Sequence, residues 1–376
     1  MLLKPGFPPS PSLVTSWFWE GYLAAKEEGF DISGDDRAGR LNTIFTGNDF
    51  GGLKRLCPSL SEKKGEEGQG VFEGFYGCLQ GLVEDREDVV ESKLMLKEKI
   101  HAYGLRDFLA QDLAGIKEKG LSLQVMKVDR YQGVSSLELG TLSSQLTVYA
   151  DPYATLLFLR GVVSTFSFRL GADEHYFLFF SPTEYPTVER STSMLLSARN
   201  TLRDELQNAV RELQGWMEEY VYLRLIFNRE VVKKLRENLG VANVTDLKLR
   251  VVRLNKEGRT HKVYMDMPLE IHLASKIYED EQMLNGIQES LKSLAGCASK
   301  FVQRRDKSSK FVQQRDKFGD GYHAYMAIKR LYMYVQTGNP AFLVEYNREV
   351  ATIRDIASAN NAPGICAGRS PRLIEL

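Results

Sequence analysis

The sequence predicts an α+β fold, predominantly helical with a few short antiparallel strands and at least one β-hairpin. Three observations carry this. Apolar residues recur at helical spacing near the N-terminus and through much of the C-terminal half. The run His175 to Phe180 (His-Tyr-Phe-Leu-Phe-Phe) has the aromatic composition of a buried strand. Asp246 to Leu254 and Thr260 to Met267 flank Asn255-Lys-Glu-Gly258, the pattern of a hairpin that Pro268 ends.

Ser10 and Pro11 supply a cap and a first-turn proline, and Gly29 a stop, so a helix is expected over Pro11 to Glu28. Glycine-rich connections follow around Gly47 to Gly52 and Gly65 to Gly81, with no clean period. Leu105 to Lys119 reads as helix and Leu121 to Tyr131 as extended. Asp151-Pro152 opens an apolar helix ending near Gly171. Arg190 to about Tyr220 reads as one long helix, and Asn228 caps another that ends at Gly240. Glu270 to Ala298 and Gly321 to Gln336 are helical by period, and Asn339-Pro340 caps a last helix to about Ala357.

A chain of 376 residues exceeds one hydrophobic core, which points to a mixed α/β lobe over 1–185 and a mainly helical lobe over 186–376. The latter would carry the hairpin 246–267 and an insertion at 300–317. Apolar residues at 43% and charged residues at 26% are a globular balance, and 49 basic against 49 acidic side chains leave no net charge. Any polyanion-binding signal must therefore be local. From Glu62 to Glu91 acids dominate, which disfavours a nucleic-acid surface there. Four cysteines, at 57, 78, 297 and 366, form no C-x-x-C pair, so a disulfide framework or zinc site is not expected and a reducing cytoplasm is. The N-terminus lacks the pattern of a secretion signal and reads as a mature terminus. The longest apolar run, Tyr153 to Phe168, contains Arg160 and falls short of the roughly 20 residues that span a bilayer, so no membrane partner is expected.

Catalytic and metal signatures are weak. Gly47 and Gly52 have phosphate-loop spacing, but Leu53 stands where the lysine is required. Asp173-Glu174-His175 sets two carboxylates beside an imidazole, yet no second His or Cys lies at ligand spacing. The remaining histidines, at 101, 261, 272 and 323, are isolated. No catalytic residue, metal, cofactor or small-molecule substrate is assigned.

Two segments concentrate positive charge. The hairpin carries Lys248, Arg250, Arg253, Lys256, Arg259 and Lys262, and a two-stranded ribbon can deliver such groups to a nucleic-acid groove. A solvated outer face would look the same. Lys300-Phe-Val-Gln-Arg-Arg-Asp-Lys307 recurs as Lys310-Phe-Val-Gln-Gln-Arg-Asp-Lys317, supplying Lys300, Arg304, Arg305, Lys307, Lys310, Arg315 and Lys317. If helical, much of this charge falls on one stripe with Phe311, suited to backbone tracking and base stacking. A charged insertion with its phenylalanines turned inward is the alternative.

Three stretches carry a family likeness: the opening helix after Pro8-Pro9, the block Thr165-Phe-Ser-Phe-Arg-Leu-Gly-Ala-Asp-Glu-His-Tyr-Phe-Leu-Phe-Phe180, and Ala324-Tyr-Met-Ala-Ile-Lys-Arg-Leu-Tyr-Met-Tyr-Val-Gln-Thr-Gly-Asn-Pro340. Together they resemble the large-subunit family of the archaeal type I-A CRISPR surveillance complex, Cascade. The resemblance implies a non-enzymatic subunit that joins the other Cascade subunits and guide RNA. It would inspect the protospacer-adjacent motif of target DNA and help to recruit the helicase-nuclease in antiviral defence. No residue here matches a motif-reading position of that family, so the basic hairpin and repeat stand as site candidates on charge alone. The rival readings are a helical scaffold contacting only proteins and a metal-dependent nuclease with dispersed ligands such as Asp173 and Glu174.

Overall fold

The computed structural model describes residues 5, 12–29, 40–41, 43–45, 49, 69–84, 94–97, 123–126, 131–133, 147–213, 215–230, 233, 246–257, 260–272, 281–307 and 319–359. The helices among these are α1 (Leu13–Glu28), α2 (Gln69–Glu84), α3 (Pro152–Thr165), α4 (Tyr185–Arg190), α5 (Thr192–Leu213), α6 (Glu218–Ile226), α7 (Glu281–Lys307), α8 (Asp320–Thr337) and α9 (Pro340–Ala359). The strands are β1 (Leu94–Lys97), β2 (Tyr131–Gly133), β3 (Thr147–Ala150), β4 (Phe166–Leu170), β5 (Glu174–Phe180), β6 (Asp246–Glu257) and β7 (Thr260–His272). The α+β expectation holds.

Several boundaries move, each for a physical reason. The apolar helix stops at Thr165, and Phe166–Leu170 becomes β4, because the alternating Phe-Ser-Phe pairs with β5. The long helix expected from Arg190 is broken into α5 and α6 by the non-helical residues Gly215, Trp216 and the extended Met217. Gln69–Glu84 is helical where glycines argued for a connection; Phe75, Tyr76 and Leu79 give it a buried face. Gln124–Met126 makes a 3₁₀ turn inside the stretch read as extended. Strand β7 runs past Pro268 to His272, so the helix expected from Glu270 begins only at Glu281. Among the described residues β2 covers β7 only at His261–Val263, and Pro268 lies beyond that stretch. The helices expected over Leu105–Lys119 and, for the most part, from Asn228 to Gly240 lie outside the described residues.

The chain forms two compact units, Met1–Leu196 with Lys248–Leu269, and Ser197–Leu247 with Glu270–Leu376. This redraws the expected division at 185/186. The hairpin belongs to the first unit, because β6 pairs antiparallel with β5 from Glu174↔Asn255 to Phe180↔Leu249.

In the first unit a five-stranded sheet has the order β2-β7-β6-β5-β4, with β2 and β7 parallel; β1 and β3 form a separate antiparallel pair. Helix α1 is apolar almost all round and buried from Leu13 through Ala25 apart from Thr15, as a helix covered on opposite faces must be. Its Trp17 ring lies 5.5 Å from Phe158 of α3 and 5.4 Å from Phe177 of β5, and its Nε1 donates to Thr165 Oγ1 at 3.0 Å. The α1/α3 crossing is backbone on backbone. A methyl group at Gly21 would stand 1.7 Å from the Leu157 carbonyl oxygen, and one at Gly161 would stand 1.7 Å from that of Trp17.

One turn along, Glu20 is fully buried and accepts from the Phe180 N–H at 2.6 Å and the Tyr185 hydroxyl at 3.3 Å. Burial and the Glu20 carboxylate together push the Tyr185 phenol well above its ordinary range.

The second unit packs α8 against α9, α7 and α6. Arg224 is buried and paired with Glu205 and Glu212, and Tyr346 donates to Ser290 Oγ at 3.1 Å between α9 and α7. Gly338, left-handed at φ 65°, ends α8, and Asn339 Oδ1 caps α9 by accepting the Ala341 N–H at 3.0 Å.

Cys78 of α2 and Cys297 of α7 each take part in a disulfide. Spacing along the chain says nothing of distance after folding, so the expectation of reduced thiols is corrected, and cysteine usage lends no support to a reducing compartment. No described helix is long and apolar enough to cross a membrane.

The helix crossing sets a stability test. Gly21→Ala and Gly161→Ala should each cost at least about 2 kcal/mol in urea unfolding, because the methyl meets rigid backbone. Gly77→Ala, in a helix with open space around its Cα, should instead stabilise by up to about 1 kcal/mol through helix propensity.

Candidate nucleic-acid interface

Alternation along β6 places Arg253, Asn255 and Glu257 on one face and Lys248, Arg250 and Lys256 on the other. Arg250 faces α1. It is 7% exposed, its Nε donates to Asp266 Oδ1 at 3.0 Å, and its Nη1 lies 3.4 Å from Ser16 Oγ. This guanidinium is part of the core and not a surface cation as its sequence position suggests, because a buried charge is held by its carboxylate and cannot also serve a phosphate.

On the opposite face, a row crosses four strands. Phe168 stacks on Tyr176 with centroids 4.6 Å apart, Tyr176 is the register partner of Arg253, and the Arg253 guanidinium lies 5.7 Å from the Tyr264 ring centre. Arg253 also binds Glu174 at 2.6 Å. Tyr264 is half-exposed at 51%, and its hydroxyl donates to Glu257, which Lys262 also grips. The Lys262 ammonium and the Tyr264 hydroxyl hold the Glu257 carboxyl below its usual range, and Glu257 in turn raises Lys262.

The five described hairpin cations therefore separate by role. Arg250 is structural, Arg253 and Lys262 are paired at the surface, and Lys248 and Lys256 are partly exposed and form no ion pair with a described residue. Arg259 lies outside the described residues. Charge counting misses Tyr264. Its signal is an aromatic at the alternation position of Lys262, where a solvent-facing polar residue is expected.

The first copy of the basic repeat is not an insertion between helices but the end of α7, which continues through Lys307. Positions 300, 304 and 307 thus recur at helical spacing, with Arg305 beside them. Lys310, Arg315 and Lys317, with Phe311, lie outside the described residues. The repeat belongs to the second unit and the hairpin to the first.

Asp173, Glu174 and His175 diverge. Asp173 sits in the exposed β4–β5 turn, where its carbonyl accepts the Lys256 N–H at 2.8 Å; Glu174 is committed to Arg253 and to the Tyr176 hydroxyl at 3.0 Å. His175 is fully buried, with Nε2 3.1 Å from the Thr43 carbonyl oxygen and its ring 6.5 Å from that of His261. Burial pushes the His175 imidazole below its ordinary range; Arg169 and Lys256 add to this, while the Thr43 carbonyl and Asp173 oppose it. Among the described residues no three His, Cys, Asp or Glu side chains are grouped so as to hold a metal ion.

An uncharacterized protein of Archaeoglobus fulgidus is similar to this chain, 23% identical over 300 residues that cover 74% of this chain and 73% of that protein. No family model matches the chain, and no solved structure matches it.

Arg250→Ala should destabilise the fold by about 3 kcal/mol in urea unfolding, since it leaves Asp266 without its buried partner; Lys248→Ala and Lys256→Ala should each stay within about 0.5 kcal/mol of the parent. Thermal scans across pH address His175. Its folded value is lowered, so below the unfolded value of about 6.5 the unfolded chain takes up a proton that the folded imidazole refuses. The unfolding midpoint should hold above about pH 6.5 and fall as the pH drops through the window below it, and His175→Gln should flatten that slope.

Proposed function

We propose that this chain is a non-catalytic large subunit of a CRISPR Cascade complex that binds target DNA, contributes to recognition of the protospacer-adjacent motif and helps to recruit the helicase-nuclease. The observation that carries DNA binding is the hairpin surface. On one face of the ribbon Lys248 and Lys256 form no ion pair with a described residue, and on the other Tyr264 offers an exposed ring flanked by Arg253 and Lys262. Ammonium groups without partners can replace counterions along a phosphate backbone, and an exposed ring accepts an unstacked base whatever its identity.

The resemblance adds to this. Two of its stretches are α1 and the passage from the end of α3 through β4 and β5, which build the core of the first unit, and the third is most of α8. The basic end of α7 supplies a second, independent contact for nucleic acid. Phosphate contacts from either segment would hold nucleic acid without reading its sequence, and guide pairing would supply the sequence information.

A second reading has its own observation. Arg253 and Lys262 are tied to Glu174 and Glu257, which brings the outer face of the hairpin close to neutrality and suits a scaffold touching only proteins.

Binding of target DNA by the assembled complex across a salt series separates the two. Lys248→Glu with Lys256→Glu should weaken binding and flatten the salt dependence by about 0.9 for each phosphate no longer neutralised. Arg304→Glu, Arg305→Glu and Arg315→Glu test the repeat in the same way. Tyr264→Ala should cost about 1–3 kcal/mol with single-stranded target and leave the salt slope alone. Unchanged affinity and slope in all three sets, with cross-links from Lys256 and Lys310 to protein alone, would establish the scaffold reading instead.

A further inference from the structure

At the end of the first unit's sheet that carries the β4–β5 turn, a cation outside the hairpin joins one within it. Arg169 of β4 is the register partner of His175, and His175 is that of Leu254 in β6. Opposed side chains in an antiparallel sheet share a face, and Lys256 lies two residues beyond Leu254 on that face. With strands about 4.8 Å apart and a rise of about 3.4 Å per residue, the main chains of Arg169 and Lys256 stand about 12 Å apart. Two long side chains can converge across that gap.

Their surroundings support convergence. Arg169 is exposed, Lys256 is partly exposed, and neither forms an ion pair with a described residue. Both bear on one buried imidazole: burial lowers His175 most, the Thr43 carbonyl opposes it, Arg169 and Lys256 each lower it further, and Asp173 opposes them. The main chain ties the two strands here as well, because the Lys256 N–H donates to the Asp173 carbonyl at 2.8 Å.

The neighbouring acids leave both cations available. Glu174 belongs to the opposite face, where Arg253 holds it, and Glu257 is held there by Lys262 and the Tyr264 hydroxyl. Asp173 is exposed in the turn and forms no ion pair with a described residue, so it opposes an anion without capturing either cation. A guanidinium presents a planar fork of donors that matches phosphate oxygens, and an ammonium beside it adds a point charge. Such a pair, held on adjoining paired strands, suits a phosphodiester.

We infer that Arg169 and Lys256 together grip the sugar–phosphate backbone of bound nucleic acid at the β4–β5 end of the sheet, with Asp173 limiting how tightly. The inference rests on the nucleic-acid reading above and extends that site to a strand with no basic run in its sequence.

Target DNA binding by the assembled complex across a salt series tests it. Arg169→Gln should weaken binding about fivefold, the worth of one modest contact, and flatten the salt dependence by about 0.9, one phosphate. Arg169→Lys, which keeps the charge and loses the fork, should keep the slope and recover part of the affinity. Asp173→Asn should tighten binding about twofold. In the free chain Arg169→Gln should leave the thermal midpoint at neutral pH unchanged, and NMR should show the His175 imidazole titrating at higher pH than in the parent. Unchanged affinity and slope in Arg169→Gln, while Lys248→Glu with Lys256→Glu alters both, would overturn the inference and leave the nucleic-acid reading standing. Weaker binding in Asp173→Asn, or an unmoved His175 in Arg169→Gln, would overturn it too. If neither these variants nor those of the hairpin and the repeat change binding, the nucleic-acid reading fails and takes this site with it.

Discussion

The contact of two helix backbones at Gly21 and Gly161 is the constraint on which the first unit depends. Glycine inside a helix costs about 1 kcal/mol relative to alanine, so two of them facing each other need an offsetting gain. That gain is depth. With the axes this close, α1 fits between α3 and the sheet, and Trp17 reaches both Phe158 and Phe177. The same placement sets Glu20 against the Phe180 N–H and Ser16 beside Arg250. The hairpin is therefore oriented from inside the fold, by a polar cluster that only a deeply seated helix can reach.

Placing charge inside the molecule changes what a count of basic residues means. Six cations on one ribbon suggest a uniform positive surface, yet the five described ones have three fates: core anchor, surface pair, and partly exposed with no ion pair to a described residue. A buried arginine with its carboxylate contributes to which structure forms, and among the described hairpin cations it is Lys248 and Lys256 whose charge is not matched by a pair.

Much of the fold was legible because local signals agreed with tertiary ones. Gly29 stops α1 as its position foretold, Asn339 caps α9, and the aromatic run at 175–180 is a buried strand with a neighbour on each side. The failures share a cause, which is that a neighbour decides. Phe166–Leu170 looks apolar enough for helix until β5 is available to pair with it. Gly215 and its non-helical neighbours divide what periodicity joined. Helix α2 carries its apolar positions at helical spacing, but its glycines spoke louder when read alone. The hairpin was visible, while its place in the first unit rests on pairing with β5 across some 70 intervening residues, which no local pattern records. Of the site, the cations were legible and their partners were not: Asp266 sits 16 residues from Arg250, and Glu174 sits 79 residues from Arg253.

Pro268 has a meaning beyond strand geometry. An uncovered strand presents a row of main-chain donors that any extended peptide can pair with. At Pro268 of β7 a ring stands in place of one such donor, so a ladder that needs the N–H of that residue does not form. Side-chain chemistry can discriminate among partners and backbone zippering cannot, and the ring weighs against the latter.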